Sequence, residues 1–429
     1  MRSARGQGTV EYLAVVLLVA LVAGGGTAVA ARGDGPGIAT AVPRQLIRAL
    51  CIVRGGDCDR DRAACPVRSQ TTRAGATVTI AFVRLGRHHL LLREQRSDGT
   101  VALTLVEERS GGVDVGTGAR AALRLGRSRV AVGGEVRAAA LIRTGSGSTW
   151  IARDAAAEAL ERRLVTHFAA APAKDLVPGF LARRVLPALP APAETFGDRG
   201  VELTGAAALS RGGGSLVAGV SAGDVAGVRV DRSTGRRTLY LRGGAGIDAS
   251  ASIGPAGAEG SAGSDTEYAL TIERDGRPVD LAIVTTGALG ASVDVPPRLQ
   301  PIAGMLDVPT GGRRAWVVER HLDLTDGDSL AVAGELLAGL RAPRPRLGEP
   351  LRVPPALQRR LDERAVIDAR TYTLAGSEYG GDLDARVGGV GAGVDVAAGT
   401  ESAQLVAAMT RGIDGQWRRR DDCLKEART

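Results

Sequence analysis

The chain has 429 residues, of which 44% are hydrophobic, 24% charged and 3% aromatic. That is the make-up of a folded protein with room for two or three domains, and it excludes a disordered chain. The formal charge of +8 invites an anionic partner such as membrane phosphate, an envelope polymer or nucleic acid. The positive charge is nearly all Arg, with no dense basic cluster interleaved with aromatics, so specific nucleic-acid binding is not expected.

Residues 1–32 open on a basic leader (Arg2, Arg5) and carry no charge from Leu13 to Ala31. This is long enough for a spanning helix, which needs about 20 apolar residues. The flanking Arg residues predict a cytoplasmic N-terminus and an extracytoplasmic bulk, a single-pass cell-membrane protein. A cleaved signal peptide is the competing reading, with Ala28-Val29-Ala30 as its small-residue site. Glu11 speaks against it, because a carboxylate entering a bilayer is expensive. Gly6, then Gln7-Gly8-Thr9-Val10, then Glu11-Tyr12 and the run LAVVLLVALVA resemble the N-terminus of type IV prepilins, specifically the tight-adherence (Flp-type) pilins and their pseudopilin relatives. The resemblance covers this N-terminal stretch alone. It implies cleavage by a prepilin peptidase between Gly6 and Gln7. It also implies an assembly role for Glu11, beside Tyr12, through pairing with a neighbour's N-terminal amine. Major Flp pilins are very short, so the resemblance implies a large pseudopilin or a pilin-anchored surface protein.

Residues 33–68 read as a neck, a short helix and a cysteine-bound loop. The chain has four cysteines, Cys51, Cys58, Cys65 and Cys423. An even number outside the membrane points to disulfides, and three pairings exist. The near-regular spacing of the first three favours one local bridge, leaving the third cysteine for Cys423. Zinc is disfavoured, with no C-x-x-C pair or nearby His.

From residue 69 the pattern changes to β-branched and alternating runs between turn signals, the signature of antiparallel strands. Residues 69–168 form a first meander ending in an Ala/Glu/Arg/Leu helix that starts near Asp154. A Pro/Ala-rich connector covers 169–199, and a second meander with a helix from Ser329 covers 200–341. A Pro-rich link with a short helix at 356–363 covers 342–364, and last strands and a polar tail cover 365–429. Trp150, Trp316 and Trp417 each close a run of strands, a loose threefold pattern. Alternation such as Val113-Asp114-Val115 means that one sheet face is wet. A long meander of this kind can close into a barrel, but the missing aromatic girdles argue against an outer-membrane barrel.

Candidate chemistry is sparse. Gly219-Val220-Ser221-Ala222-Gly223 matches G-x-S-x-G but reads as a turn, without the helix a nucleophile elbow needs. Asp57, Asp59 and Asp61 alternate like calcium ligands, but Arg62 and Arg68 occupy the positions where the loop needs Gly and an acid. Asp323, Asp326 and Asp328 read as a turn and helix cap. His88 and His89 point to opposite faces of a strand and cannot share a metal.

The expectation is therefore a mainly β protein of antiparallel meander sheets, at most partly closed into a barrel, behind an N-terminal transmembrane helix and with a few further helices. Functionally it is a membrane-anchored, pilin-like envelope protein, part of or associated with a tight-adherence pilus or related secretion system. The expected partners are the prepilin peptidase, pilus or secretion subunits, and membrane lipid. The alternative is an anchored module that binds an anionic envelope polymer or lipid. No catalytic residue, metal or cofactor is expected.

Overall fold

The computed structural model describes residues 64–81, 83–125, 128–170, 188–211, 214–253, 256–289, 313–339, 353–387 and 390–427. The leader and apolar run, with Gly6, Gln7, Glu11 and Tyr12, lie outside these residues, as do the neck, the Asp57–Asp61 loop, Cys51 and Cys58. Residues from Ala64 onward form one compact unit.

That unit is a single antiparallel sheet closed on itself. The long strands are β1 (Pro66–Ala81), β2 (Val83–Arg96), β3 (Thr100–Leu125), β4 (Ser128–Arg153), β5 (Glu194–Arg211), β6 (Gly214–Asp231), β7 (Arg237–Ile253), β8 (Ala256–Ile272), β9 (Pro278–Leu289), β10 (Arg314–Asp323), β11 (Val366–Val387) and β12 (Val390–Arg411). Each pairs with the next, and β1 pairs with β12 over Arg68↔Gln404 to Ala81↔Gly391, which closes the ring. A short β13 (Trp417–Arg419) continues the seam beside β12. β11 also pairs antiparallel with β3 at Gly381↔Leu125 to Val387↔Ala119; both strands run toward the same end of the barrel, so their last residues turn toward each other there.

The expected fold class is corrected here. The strands on either side of the Pro-rich stretches do not form separate meanders under a helical anchor, because they belong to one closed barrel. Among the described residues no helix is long and apolar enough to cross a membrane.

The registers fix the barrel's dimensions. Paired residues lead from Val113 through Val83, Ile80 and Ala392 to Ala385 of β11. In the other direction they lead through Ala140, Leu203, Ala222, Ala245, Ser264, Gly287 and Trp316 to Thr371 of the same strand. The two arrivals are about 14 residues apart, which is the shear. With strands about 4.8 Å apart and about 3.3 Å per residue, twelve strands at this shear tilt by about 39° on a radius of about 12 Å.

The two ends differ. At one end, called the turn end, tight turns carry glycines with positive φ at Gly99, Gly235, Gly276 and Gly415. Aspartates hold these turns: Asp98 accepts from Thr100, Asp231 from Ser233 and Thr234, Asp275 from Arg277, and Asp414 from Gln416. The helices belong to this end: α1 (Asp154–Ala170), α2 (Gly327–Gly339), α3 (Pro355–Arg364) and α4 (Asp421–Ala427). The α2 start is the expected aspartate cap, with Asp326 accepting from the Asp328 amide and the Ser329 hydroxyl. At the other end, called the tip end, β3–β4, β5–β6, β7–β8 and β11–β12 pair to their last residues, Leu125↔Ser128, Arg211↔Gly214, Ile253↔Ala256 and Val387↔Val390.

Candidate functional site: a polar lumen inside an apolar wall

Successive side chains of a strand face opposite sides, so the registers sort the barrel into two surfaces. Along β4, Val136, Ala138, Ala140, Ile142 and Thr144 are exposed, whereas Arg137, Ala139, Leu141 and Arg143 are buried or half-buried. Side chains inside a closed sheet converge and those outside diverge, so the exposed set is the outer wall and the other set lines the lumen. Helix α1 agrees. It packs on the outer set, and its far side (Glu158, Arg162, Arg163) is exposed.

The lumen is built of charges, hydroxyls and small residues. Arg143 donates to Glu108 of β3 at 2.6 Å and to Glu202 of β5 at 2.7 Å. Arg137 pairs with Asp114, which is fully buried. The Tyr240 hydroxyl donates to Asp198 at 3.0 Å, reaching across β6. That reach needs Gly227, where a Cβ would lie 2.4 Å from the Tyr240 ring. Arg229 stacks 5.5 Å from the same ring, and Arg242 pairs with Glu267 at 2.7 Å. Toward the turn end, His321 Nδ1 meets Asp280 at 3.2 Å and its Nε2 faces Glu319 at 3.8 Å. Glu319 also pairs with Arg370. The Asp280 contact chiefly, then Glu319, pushes the His321 imidazole up to about 10 against the opposing effect of burial, so this group is cationic at neutral pH. Buried carboxylates and guanidiniums persist only when paired, which is why these acids and arginines sit on neighbouring strands.

Helix α4 lies against the lumen face at the turn end. Cys423 and Leu424 pack with Val67, Tyr372, Leu405 and Ala408, three strands' worth of lumen wall. Arg420 is buried and donates to Asp422 at 2.7 Å, with Asp368 at 3.7 Å. The Arg420 contact holds the Asp422 carboxyl below its usual range. The Cys65–Cys423 disulfide ties this helix to the start of β1.

The outer wall has three zones. Near the turn end it is covered by helices. Leu91, Val101, Leu103 and Trp150 pack under Ala157, Leu160 and Leu164 of α1. Tyr268, Leu270, Leu281, Ile283, Val318, Leu322, Ile367 and Ala369 pack under Ala333 and Leu336 of α2 and Leu357 and Leu361 of α3. Each leucine so covered contributes roughly 1.5–3 kcal/mol. Next comes a polar belt in two register-joined arcs, Arg87, Arg109, Thr144 and Arg199 and then, offset by two residues toward the tips, Asp224, Thr266 and Thr285. Beyond the belt the wall is apolar and bare. Val83, Leu85, Val113, Val115, Val136, Ile142, Val201, Leu203, Leu216, Val220 and Ile247 are each 41–64% exposed. Among the residues of β2–β7 whose side chains are described, no charged residue faces outward in this zone, and Arg211, the last residue of β5, occupies an outer position of the register at the tip.

The sequence-derived candidates distribute as follows. Ser221 sits mid-strand in β6 with no following helix, so G-x-S-x-G is no nucleophile elbow here. His88 faces the lumen over Gly75, while His89 pairs with Ala74 on the opposite face. Trp150 and Trp316 lie under the outer helices, and the Trp150 indole donates to the Pro190 carbonyl at 2.8 Å. The lumen network itself was missed by sequence reasoning. Its signal was the polar half of each alternating strand, read only as a wet face.

No protein-family model and no curated protein matches the chain. Several solved structures align over most of it. The translocator domain of autotransporter NalP from Neisseria meningitidis aligns at 11% identity, over 85% of this chain and 96% of that one, with TM-score 0.25. The transport unit of the autotransporter AIDA-I from Escherichia coli aligns at 8% identity over 83% and 95%, with TM-score 0.20. The Pseudomonas putida toluene transporter TodX aligns at 8% identity over 79% and 90%, with TM-score 0.16.

The pilin-like function and the single-pass anchored localisation are corrected by the barrel itself. The bulk of the chain is a closed sheet whose outer wall carries its own bare apolar zone, which is not a helix-borne pilin ectodomain. The transmembrane-helix, prepilin-like and pilus readings fall with it.

Proposed function

We propose that this protein is a lipid-embedded β-barrel that holds a hydrated, polar lumen across a bilayer. One observation carries the reading. Eleven branched aliphatic side chains on six neighbouring strands face outward, bare, above a belt of Arg, Asp and Thr, while the inward positions of the same strands are charged. In water this arrangement is costly. Half-exposed Val, Leu and Ile at these positions forgo roughly 10 kcal/mol in total, and soluble monomers rarely leave such a contiguous patch open. In a bilayer the same wall is satisfied, and a closed barrel leaves no unpaired strand edge. The tilt of about 39° is that of membrane barrels. The interfacial belt uses Arg and Thr where other barrels use aromatics.

The test is reconstitution. The full chain, refolded from urea with phospholipid vesicles, is expected to float with them through a density gradient and to resist alkaline extraction. Recovery in the unfloated, soluble fraction as a folded monomer overturns the reading. Single-channel recording in a planar bilayer then reports whether the lumen conducts or is closed by α4.

A further inference from the structure

The asymmetry of the two ends assigns a direction to this insertion. We infer that the tip end is the end that passes through the bilayer, and that the helix-clad turn end stays on the side from which the protein approached. The inference rests on the membrane reading above.

Crossing the hydrocarbon layer requires a segment with few charges and few unsatisfied backbone groups. On the outer face of its described strands, the tip end meets that requirement more nearly than the helix-clad end does. Four of its hairpins are paired to within two residues of their turns, so in these four hairpins almost every described amide and carbonyl belongs to the ladder. The outward residues leading to those tips, such as Val136, Ala138 and Ala140 on β4 and Leu216, Ala218 and Val220 on β6, are uncharged and exposed.

The turn end does not meet it. Helices α1 and α3 cover the outer wall there and turn outward Glu158, Arg162 and Arg163 on α1, and Arg359 on α3. The turns add Asp231, Arg232 and Arg236 and the Asp414–Arg418 pair. Passing this end would drag many charges and a layer of helices through lipid. The polar belt with Arg87, Arg109 and Arg199 lies between the two zones, and its guanidiniums suit the phosphates of the near leaflet. The belt therefore marks how far the barrel sinks.

The experiment uses single reporter cysteines in the full chain, in a Cys51→Ser/Cys58→Ser background that keeps the Cys65–Cys423 disulfide. Ser128→Cys reports the tip of the β3–β4 hairpin, and Arg232→Cys reports the exposed turn between β6 and β7. Each variant is refolded from urea into preformed phosphatidylcholine/phosphatidylglycerol vesicles, floated, and treated outside with a membrane-impermeant maleimide. Arg232→Cys is expected to label at once. Ser128→Cys is expected to lose all labelling until detergent opens the vesicles. Immediate labelling of Ser128→Cys in the floated fraction overturns the direction and leaves the membrane reading standing. Failure of both variants to float, while folded, overturns both.

Discussion

Val220 and Ser221 are neighbours in β6 that face opposite sides of the wall, and together they test the two-surface description most sharply. Val220 points outward, 56% exposed, and Ser221 points into the lumen. Val220 stands four residues from Asp224 in the polar belt, which at about 3.3 Å per residue and a tilt of about 39° puts it about 10 Å into the apolar zone. That is near the middle of a barrel's apolar band of about 25 Å. Arginine at such a depth costs about 2–4 kcal/mol, or about 30- to 700-fold in the folding equilibrium. Ser221→Arg puts the same charge among paired acids and arginines in a hydrated lumen, where its cost is much smaller. Both variants are to be unfolded in urea from vesicles, followed by tryptophan fluorescence. Val220→Arg should lose the larger amount and Ser221→Arg little. If the barrel lives in water, Val220→Arg replaces an exposed aliphatic group by a solvated one and is neutral. A neutral Val220→Arg in vesicles therefore refutes the argument.

Three further outcomes are expected. Cys423→Ser opens a covalent loop with a sequence separation of 358. The chain-entropy relation gives about 6 kcal/mol for such a loop, and typical disulfides deliver about 2–4 kcal/mol. The urea midpoint should fall by that lower amount, and a dithiol reductant should lower the wild type but not the variant. Leu281→Ala and Leu361→Ala empty fully buried positions of one hydrophobic cluster, on β9 and on α3. Each should cost about 2–5 kcal/mol in thermal or urea unfolding, and their sum should exceed the double variant because they share one cluster. His321 is raised in the folded barrel to about 10 from 6.5, first by Asp280 and then by Glu319. A raised base stabilises fully below its unfolded value and loses that contribution as pH climbs through the folded one. The advantage of wild type over His321→Gln should therefore be constant below pH 6.5, shrink steadily toward pH 10 and vanish above it. A gap that widens with pH sinks this assignment.

Much of the local structure was legible in the sequence. The Ala/Glu/Arg/Leu pattern after Asp154 became α1, and the short helix read over 356–363 became α3. Alternation at Val113-Asp114-Val115 separated the strand's two faces, but the face read as wet is the one where Asp114 is fully buried, while Val113 and Val115 are exposed. Closure was not legible, because it depends on pairings such as Thr71↔Glu401 that leave no local trace. Without closure, the polar side of each strand has no inside to face, and so Arg143, Glu108 and Glu202 looked like scattered surface charges. The Pro-rich stretches misled for a related reason. Pro cannot join a central ladder, which makes it a sign of a loop, and a loop between two strands of one barrel looks the same as a linker between two domains. Low aromatic content argued against a membrane barrel because Trp and Tyr are the usual interfacial residues, whereas in the proposed reading Arg and Thr take that place.

The seam between β1 and β12 has a consequence for how the molecule comes into being. Apart from the β3–β11 pairing, every other contact around the ring joins strands that are successive in the chain, so hairpins can form as they emerge. The closing contact joins the first strand to the twelfth, and it cannot be complete until Gln404 has been delivered. Until then the growing sheet has two open edges, each a template for another chain, and an apolar wall with nothing to cover it. Biogenesis of this protein is therefore a race between C-terminal delivery and aggregation, slow by virtue of its long-range closure. A nascent chain cut short anywhere before β12 is not a smaller barrel but an open, adhesive sheet.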